Sequence, residues 1–206
     1  MQMNKLADYF SQKKYAVYRS CVTDPQLSLL YRYACKRAEL DTMKLDDTSP
    51  GALSAPGDVF MDGLLVDLLP TVEQMTRMKL FPTFSYFRVY HRGDILERHT
   101  DRPSCEIGLT LCLGYKAEKP WPIMIECMDE IAVVELAPGD AVLYRGIECA
   151  HWRDALDGEQ VAQVILNYVD QTGPYAEWKF DKRRALTFKR PPACTASDLI
   201  SASLPD

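Results

Sequence analysis

The sequence predicts one α+β domain in which N-terminal helices support a jelly roll of short antiparallel strands. Three observations carry that prediction. Up to about residue 80 the chain reads as helical, with apolar positions near helical spacing behind a start signal at Asp24 and Pro25. From about 81 to 170 the chain switches to short runs of β-branched and aromatic residues, separated by Gly, Pro or charged turns. Its 206 residues, 47% hydrophobic, supply apolar material for one substantial core but not comfortably for two. Helices followed by strands fit an α+β layering, and several short strands fit a two-sheet jelly roll or related barrel.

Taken in order, Asp24 opens DPQLSLLYRYACKRAEL as an N-cap, with Pro25 at the first helical position. Leu27, Leu30, Tyr31 and Ala34 then fall near helical spacing. Residues 41–57 are rich in Asp, Ser, Pro and Gly, which favour turns, and predict a long loop able to lie over a site. VFMDGLLVDLL and TVEQMTRMKL read as a second helical stretch, which Pro70 is expected to break or kink by removing a backbone donor. Strands are predicted in FSYFRVY, EIGLTLCLGY, WPIMIEC, IAVVEL, AVLYR and VAQVILNYV. The tail from Gly173, with KFDKRR and KRPP, loses alternation and is expected to be irregular. The single domain thus divides into helical support (about 1–80), a β core (about 81–170) and a tail (about 171–206). There is no internal repeat or low-complexity tract.

A net charge of −5 with scattered Lys and Arg argues against a nucleic-acid partner, because phosphate neutralisation needs a concentrated basic surface. No stretch is apolar for long enough to span a bilayer, and MQMNKLADYF has no signal-like apolar run, so a soluble, cytoplasmic chain is expected. Seven cysteines form an odd set without CxxC spacing, and reduced thiols are the expectation. Cys149 reads as a small buried hydrophobe. The oligomeric state leaves no mark in the sequence.

The chain has three histidines, His91, His99 and His151. In HTDR, His99 and Asp101 are separated by one residue, which on a strand puts both side chains on one face. His151 follows PGDAVLYRGIECA, a turn, a strand and then a loop, and places a second imidazole at a strand mouth. Two histidines and one carboxylate make a facial triad with open positions, suited to iron(II). His91 lacks a partner at ligand spacing and reads as a loop histidine.

FSYFRVYHRGDILERHTDRPSCEIGLTLCLG, then PGDAVLYRGIECAHWRDALDGE and VAQVILNYV, resemble the 2-oxoglutarate/Fe(II)-dependent dioxygenases, particularly their prolyl-4-hydroxylase-like branch. The resemblance covers roughly residues 80–170. It implies a double-stranded β-helix core, Fe(II) held by His99, Asp101 and His151, and 2-oxoglutarate and O₂ as co-substrates. The implied reaction is hydroxylation of an amino acid, peptidyl residue or small metabolite, with release of succinate and CO₂. Related halogenases carry Gly or Ala at the carboxylate position, so Asp101 points to oxygen-derived oxidation.

The sequence departs from that branch at one place. Where the branch has Lys or Arg about ten residues after the distal histidine, to bind the far carboxylate of 2-oxoglutarate, this chain has GEQVAQV. A buried carboxylate needs a charge partner. Lys116, Arg145 and Arg153 are the candidate cations, and Tyr86, Tyr90 and Tyr115 candidate phenol donors. Arg102, Ser104, Glu106, Trp121 and Trp152 are candidates for substrate contact. Two other classes also suit the residues: a cupin-like hydrolase or isomerase using Zn or Mn, and a jelly-roll binding module without oxygenase activity. An iron oxygenase that does without 2-oxoglutarate is the remaining alternative.

Overall fold

The structure, a computed structural model, describes residues 2–46 and 49–186. The KRPP stretch, Cys194 and the rest of the predicted tail beyond 186 lie outside the described residues. The chain begins with helix α1 (Gln2–Lys13) and strand β1 (Tyr15–Tyr18). Neither was predicted, although Met3, Leu6, Ala7 and Phe10 trace one apolar helical face packed into the core. Helix α2 (Asp24–Glu39) is capped one residue earlier than expected. Thr23 is the N-cap, and Gln26 accepts back from the Thr23 backbone N–H at 3.0 Å in a capping box.

The 41–57 stretch contains two short strands, β2 (Lys44–Leu45) and β3 (Leu53–Pro56). Helix α3 (Val59–Thr76) runs through Pro70 as one helix, which corrects the expected break there. Proline removes only one intrahelical donor, and burial of Met61, Leu65, Leu68, Val72 and Met75 holds the helix on both sides of it. Asp58 caps its N-terminus, accepting from the Phe60 and Met61 backbone N–H groups at 3.0 and 3.2 Å.

The strands follow as β4 (Leu80–His91), β5 (Leu96–His99), β6 (Ile107–Lys116), β7 (Ile123–Cys127), β8 (Glu130–Val134), β9 (Ala141–Arg145), β10 (Ala150–Arg153) and β11 (Gln160–Asp170). They form a seven-stranded sheet in the order β1-β9-β6-β11-β4-β3-β2 and a four-stranded sheet in the order β5-β10-β7-β8. Every pairing is antiparallel.

Strand alternation explains where the site forms. On β4 and β11, Phe87, Val89, Ala162, Val164 and Leu166 face the helices and build the main core. Their neighbours Tyr86, Arg88, Tyr90, Gln163, Ile165 and Asn167 face the other sheet and line the cavity between the two. The helices thus seal one face of the large sheet and leave the other free to form a polar, inward-facing wall.

The expectation of reduced thiols fails at one pair. Cys127 on β7 and Cys149, just before β10, form a disulfide. Ala150 pairs with Glu126 across β10 and β7, which brings the two cysteines opposite each other with Cα atoms 4.8 Å apart, inside the bonding range. Cys149 is therefore a cross-link, and not the free buried hydrophobe of the sequence reading. The bridge spans 22 residues of sequence. Loop-closure entropy of that length corresponds to ~3 kcal/mol. Reduction is expected to lower the urea midpoint accordingly, and a Cys127→Ser/Cys149→Ser variant should unfold at the same midpoint with or without dithiothreitol.

Candidate metal centre

The turn after β4 delivers His99 at the end of β5, and His99 pairs across the strands with His151 on β10. The strand ends there, so Asp101 lies in the following loop, not on the strand itself. Its position is set by two backbone bonds: Asp101 N–H donates to Gly146 C=O at 2.8 Å, and Gly146 N–H donates to Glu106 C=O at 3.0 Å.

The three side chains converge. Asp101 Oδ1 is 3.6 Å from His99 Nε2 and 3.8 Å from His151 Nε2, and one ligand atom from each residue lies within 4.8 Å of the others. His99 Nδ1 bonds the Glu97 carbonyl at 2.7 Å, and His151 Nδ1 bonds the Cys149 carbonyl at 3.1 Å. Each Nδ1–H is thereby committed to a carbonyl, which leaves both Nε2 lone pairs directed at one point, the arrangement of metal-binding imidazoles. The residues fit a divalent ion. In its absence the Asp101 carboxylate raises the pKa of His99, while burial lowers that of His151.

Gly146 explains the close approach. A Cβ there would fall 2.3 Å from Asp101 Oδ2 and 2.4 Å from the Cys105 carbonyl. Gly146→Ala is expected to destabilise the fold by about 1–3 kcal/mol through this overpacking. It should also displace Asp101 and weaken iron binding, which thermal unfolding with and without Fe(II) will register. An unchanged metal-induced shift would show that Asp101 tolerates the displacement.

The cluster opens into a cavity of about 480 Å³ between the sheets. Of the candidate cations, Arg153 lines it, with 3% of its surface exposed. One terminal nitrogen of Arg153 donates to the Trp121 carbonyl and the other to Gln163 Oε1 at 2.8 Å, while Nε has no partner. The guanidinium stacks over the Trp121 ring, 4.8 Å from its centroid. No carboxylate pairs with it among the described residues, and desolvation lowers its pKa. Gln163 belongs to the GEQVAQV stretch that lacks a cation, so the positive charge reaches that wall from the neighbouring sheet.

Lys116 and Arg145 do not line the cavity. Lys116 is exposed and pairs with Glu159 at 3.2 Å, and Arg145 pairs with Glu148 at 3.0 Å. Tyr115 packs at the margin of two apolar clusters outside the cavity, whereas Tyr86 and Tyr90 line it. The Tyr86 hydroxyl donates to Asp46 Oδ2 at 2.6 Å, the Tyr90 hydroxyl accepts from Arg88 at 3.1 Å, and Arg88 pairs with Asp46 at 2.6 Å. Asp46 thus holds two residues of the cavity wall, Tyr86 and Arg88, from behind. Arg102 lines the cavity; Ser104 is buried, and its carbonyl accepts from Thr83 at 2.7 Å; Glu106 accepts from the Asp170 N–H at 2.8 Å. Trp121 backs Arg153, and Trp152 stacks with Arg98.

The sequence reading missed Tyr144 and Arg183. Tyr144 is buried against the His151 ring, 4.7 Å between centroids, and its hydroxyl bonds that of Thr110 at 3.2 Å. The alternation of AVLYR was the available signal for it.

No family model and no curated protein matches the chain. Solved structures do. A Pseudomonas putida prolyl-4-hydroxylase is 13% identical, with a TM-score of 0.69 over 82% of this chain and 98% of its own. The 2-oxoglutarate-dependent epimerase SnoN of nogalamycin biosynthesis is 12% identical, with a TM-score of 0.69 over 96% and 97%. HygX from Streptomyces hygroscopicus, solved with nickel and 2-oxoglutarate, is 11% identical, with a TM-score of 0.65 over 82% and 87%. The fold is the double-stranded β-helix of the 2-oxoglutarate/Fe(II) oxygenases. No helix among the described residues is long and apolar enough to cross a membrane.

Proposed function

We propose that this protein is an Fe(II)- and 2-oxoglutarate-dependent oxygenase that hydroxylates a small molecule or a peptidyl residue, releasing succinate and CO₂. One observation carries the reading: two histidines and a carboxylate converge in a cavity that is also lined by a buried guanidinium with no carboxylate partner among the described residues. His99, Asp101 and His151 are the iron ligands in this reading, and the open positions of a facial triad accept a chelating co-substrate and O₂. When bound, the metal and co-substrate supply the oxidising chemistry. Arg153, steadied by Gln163 and the Trp121 carbonyl, binds the far carboxylate. It lies two residues beyond His151 on the same strand, about 7 Å along the chain, a spacing that a five-carbon dicarboxylate can bridge. Tyr90 and Tyr144 wall the space.

The test is to add Fe(II) anaerobically to the metal-free protein and titrate in 2-oxoglutarate. The weak visible charge-transfer band of the chelate is expected in the wild type and absent in His99→Ala. Iron binding without a band would favour an oxygenase independent of 2-oxoglutarate or a binding module. Failure to bind iron, with tight Zn(II) binding instead, would favour the cupin-like hydrolase or isomerase.

A further inference from the structure

Past β11 the chain forms a short strap, Ala176–Lys182, that opens with a 3-10 turn and leaves helical geometry from Lys179 onward; it packs against β4 and carries Asp181 and Arg183 to the cavity. It is latched beside the metal cluster. Arg102, the residue after Asp101, donates two hydrogen bonds to Asp181 at 2.8 and 3.1 Å and stacks over the Phe84 ring. The strap also holds Phe180, Asp181 and Lys182 at positive φ, a conformation that costs a non-glycine residue roughly 1 kcal/mol or more. Three such residues in succession at a cavity mouth indicate a backbone held for what it presents.

It presents Arg183. Its Nε donates to the Phe180 carbonyl at 2.9 Å and Nη2 to the Thr83 carbonyl at 3.2 Å. Nη1 lies over Gly57, where a Cβ would come within 3.0 Å of it. Backbone oxygens therefore fix the guanidinium, and no carboxylate neutralises it among the described residues. Of the other arginines lining the cavity, Arg88 is paired with Asp46 and Arg102 with Asp181. A divalent ion on Asp101 and a dianionic co-substrate at Arg153 leave one positive charge in excess, and Arg183 is the cation at the mouth.

We propose that the substrate carries a carboxylate that Arg183 binds at the mouth, with a partly apolar body lying along Phe84, Tyr86 and Ile165 toward the His99–Asp101–His151 cluster. This rests on the oxygenase reading above and specifies its substrate class. An arginine held in place loses little freedom when it engages a carboxylate through its remaining N–H donors.

The test is calorimetry on the anaerobic Fe(II) protein saturated with 2-oxoglutarate. The probes are three acid/amide pairs of matched shape: benzoate and benzamide, hippurate and hippuramide, 4-phenylbutyrate and its amide. At least one acid is expected to bind about tenfold more tightly than its amide. Arg183→Gln should erase that preference, and Arg183→Lys should restore part of it. Equal affinities within every pair, including no measurable binding of any probe, overturn the proposal, as does a preference that survives in Arg183→Gln. The 2-oxoglutarate titration of the same wild-type sample reports separately on the oxygenase reading. A missing chelate band there counts against that reading and leaves the acid/amide comparison on the metal-loaded protein to judge Arg183.

Discussion

Asp101→Ala is expected to lower 2-oxoglutarate-dependent succinate formation by at least about a hundredfold and to weaken iron binding by a similar factor. Among the described residues the other carboxylate lining the cavity, Asp181, is tied to Arg102 by two hydrogen bonds and cannot replace it without breaking them. Asp101 sits between the two Nε2 atoms and is anchored through its own N–H to Gly146, so a water entering the vacated position lacks both the charge and the fixed geometry. The apoprotein should lose little stability, because Asp101 remains partly exposed. Iron affinity by competitive chelation and succinate release by coupled assay measure the two effects. Full turnover in Asp101→Ala would sink the triad assignment.

Arg153→Leu is expected to weaken 2-oxoglutarate binding by between about thirtyfold and several thousandfold, the range for losing one partner of a buried, hydrogen-bonded charge pair. The same substitution should leave the unliganded protein close to wild-type stability. A buried guanidinium without a counterion is costly to fold around, and an apolar residue removes that cost while leaving Gln163 and the Trp121 carbonyl without a donor. Ligand-induced stabilisation separates the two outcomes. Wild type held at a hundred times its dissociation constant should gain about 2.7 kcal/mol from 2-oxoglutarate, and Arg153→Leu at the same concentration should gain far less. Arg153→Lys keeps the charge but loses the fork, and should fall between them. Unaltered 2-oxoglutarate affinity in Arg153→Leu would assign the far carboxylate to another group.

Much of the fold was legible in the residues. Helix α2 carries an apolar face with a start signal and α3 a helical apolar stretch, and the β core announces itself through β-branched and aromatic runs, because these patterns are local properties of the chain. Helix α1 escaped because its face is built from Met3, Leu6, Ala7 and Phe10 without a start signal before it. The metal cluster was legible because few histidines exist and one of them stands two residues from an aspartate. Its assembly required the pairing of β5 with β10, which sets His99 against His151.

Which candidate cation lines the cavity was not legible, and the reason is which way each strand faces. Tyr144 points into the cavity, so its neighbour Arg145 points out, and Lys116 ends β6 at the solvent. Arg153 shares the inward face of β10 with His151, and the opposite sheet buries it against Gln163. The Cys127–Cys149 bridge and the approach of the strap to Arg102 depend in the same way on contacts between residues far apart in sequence. The sequence alone determined the fold class and the three metal-ligand candidates, because residue type and short-range period carry that information. The tertiary structure decided which charges are buried, paired or left over, because burial and pairing depend on the packing of one sheet against the other.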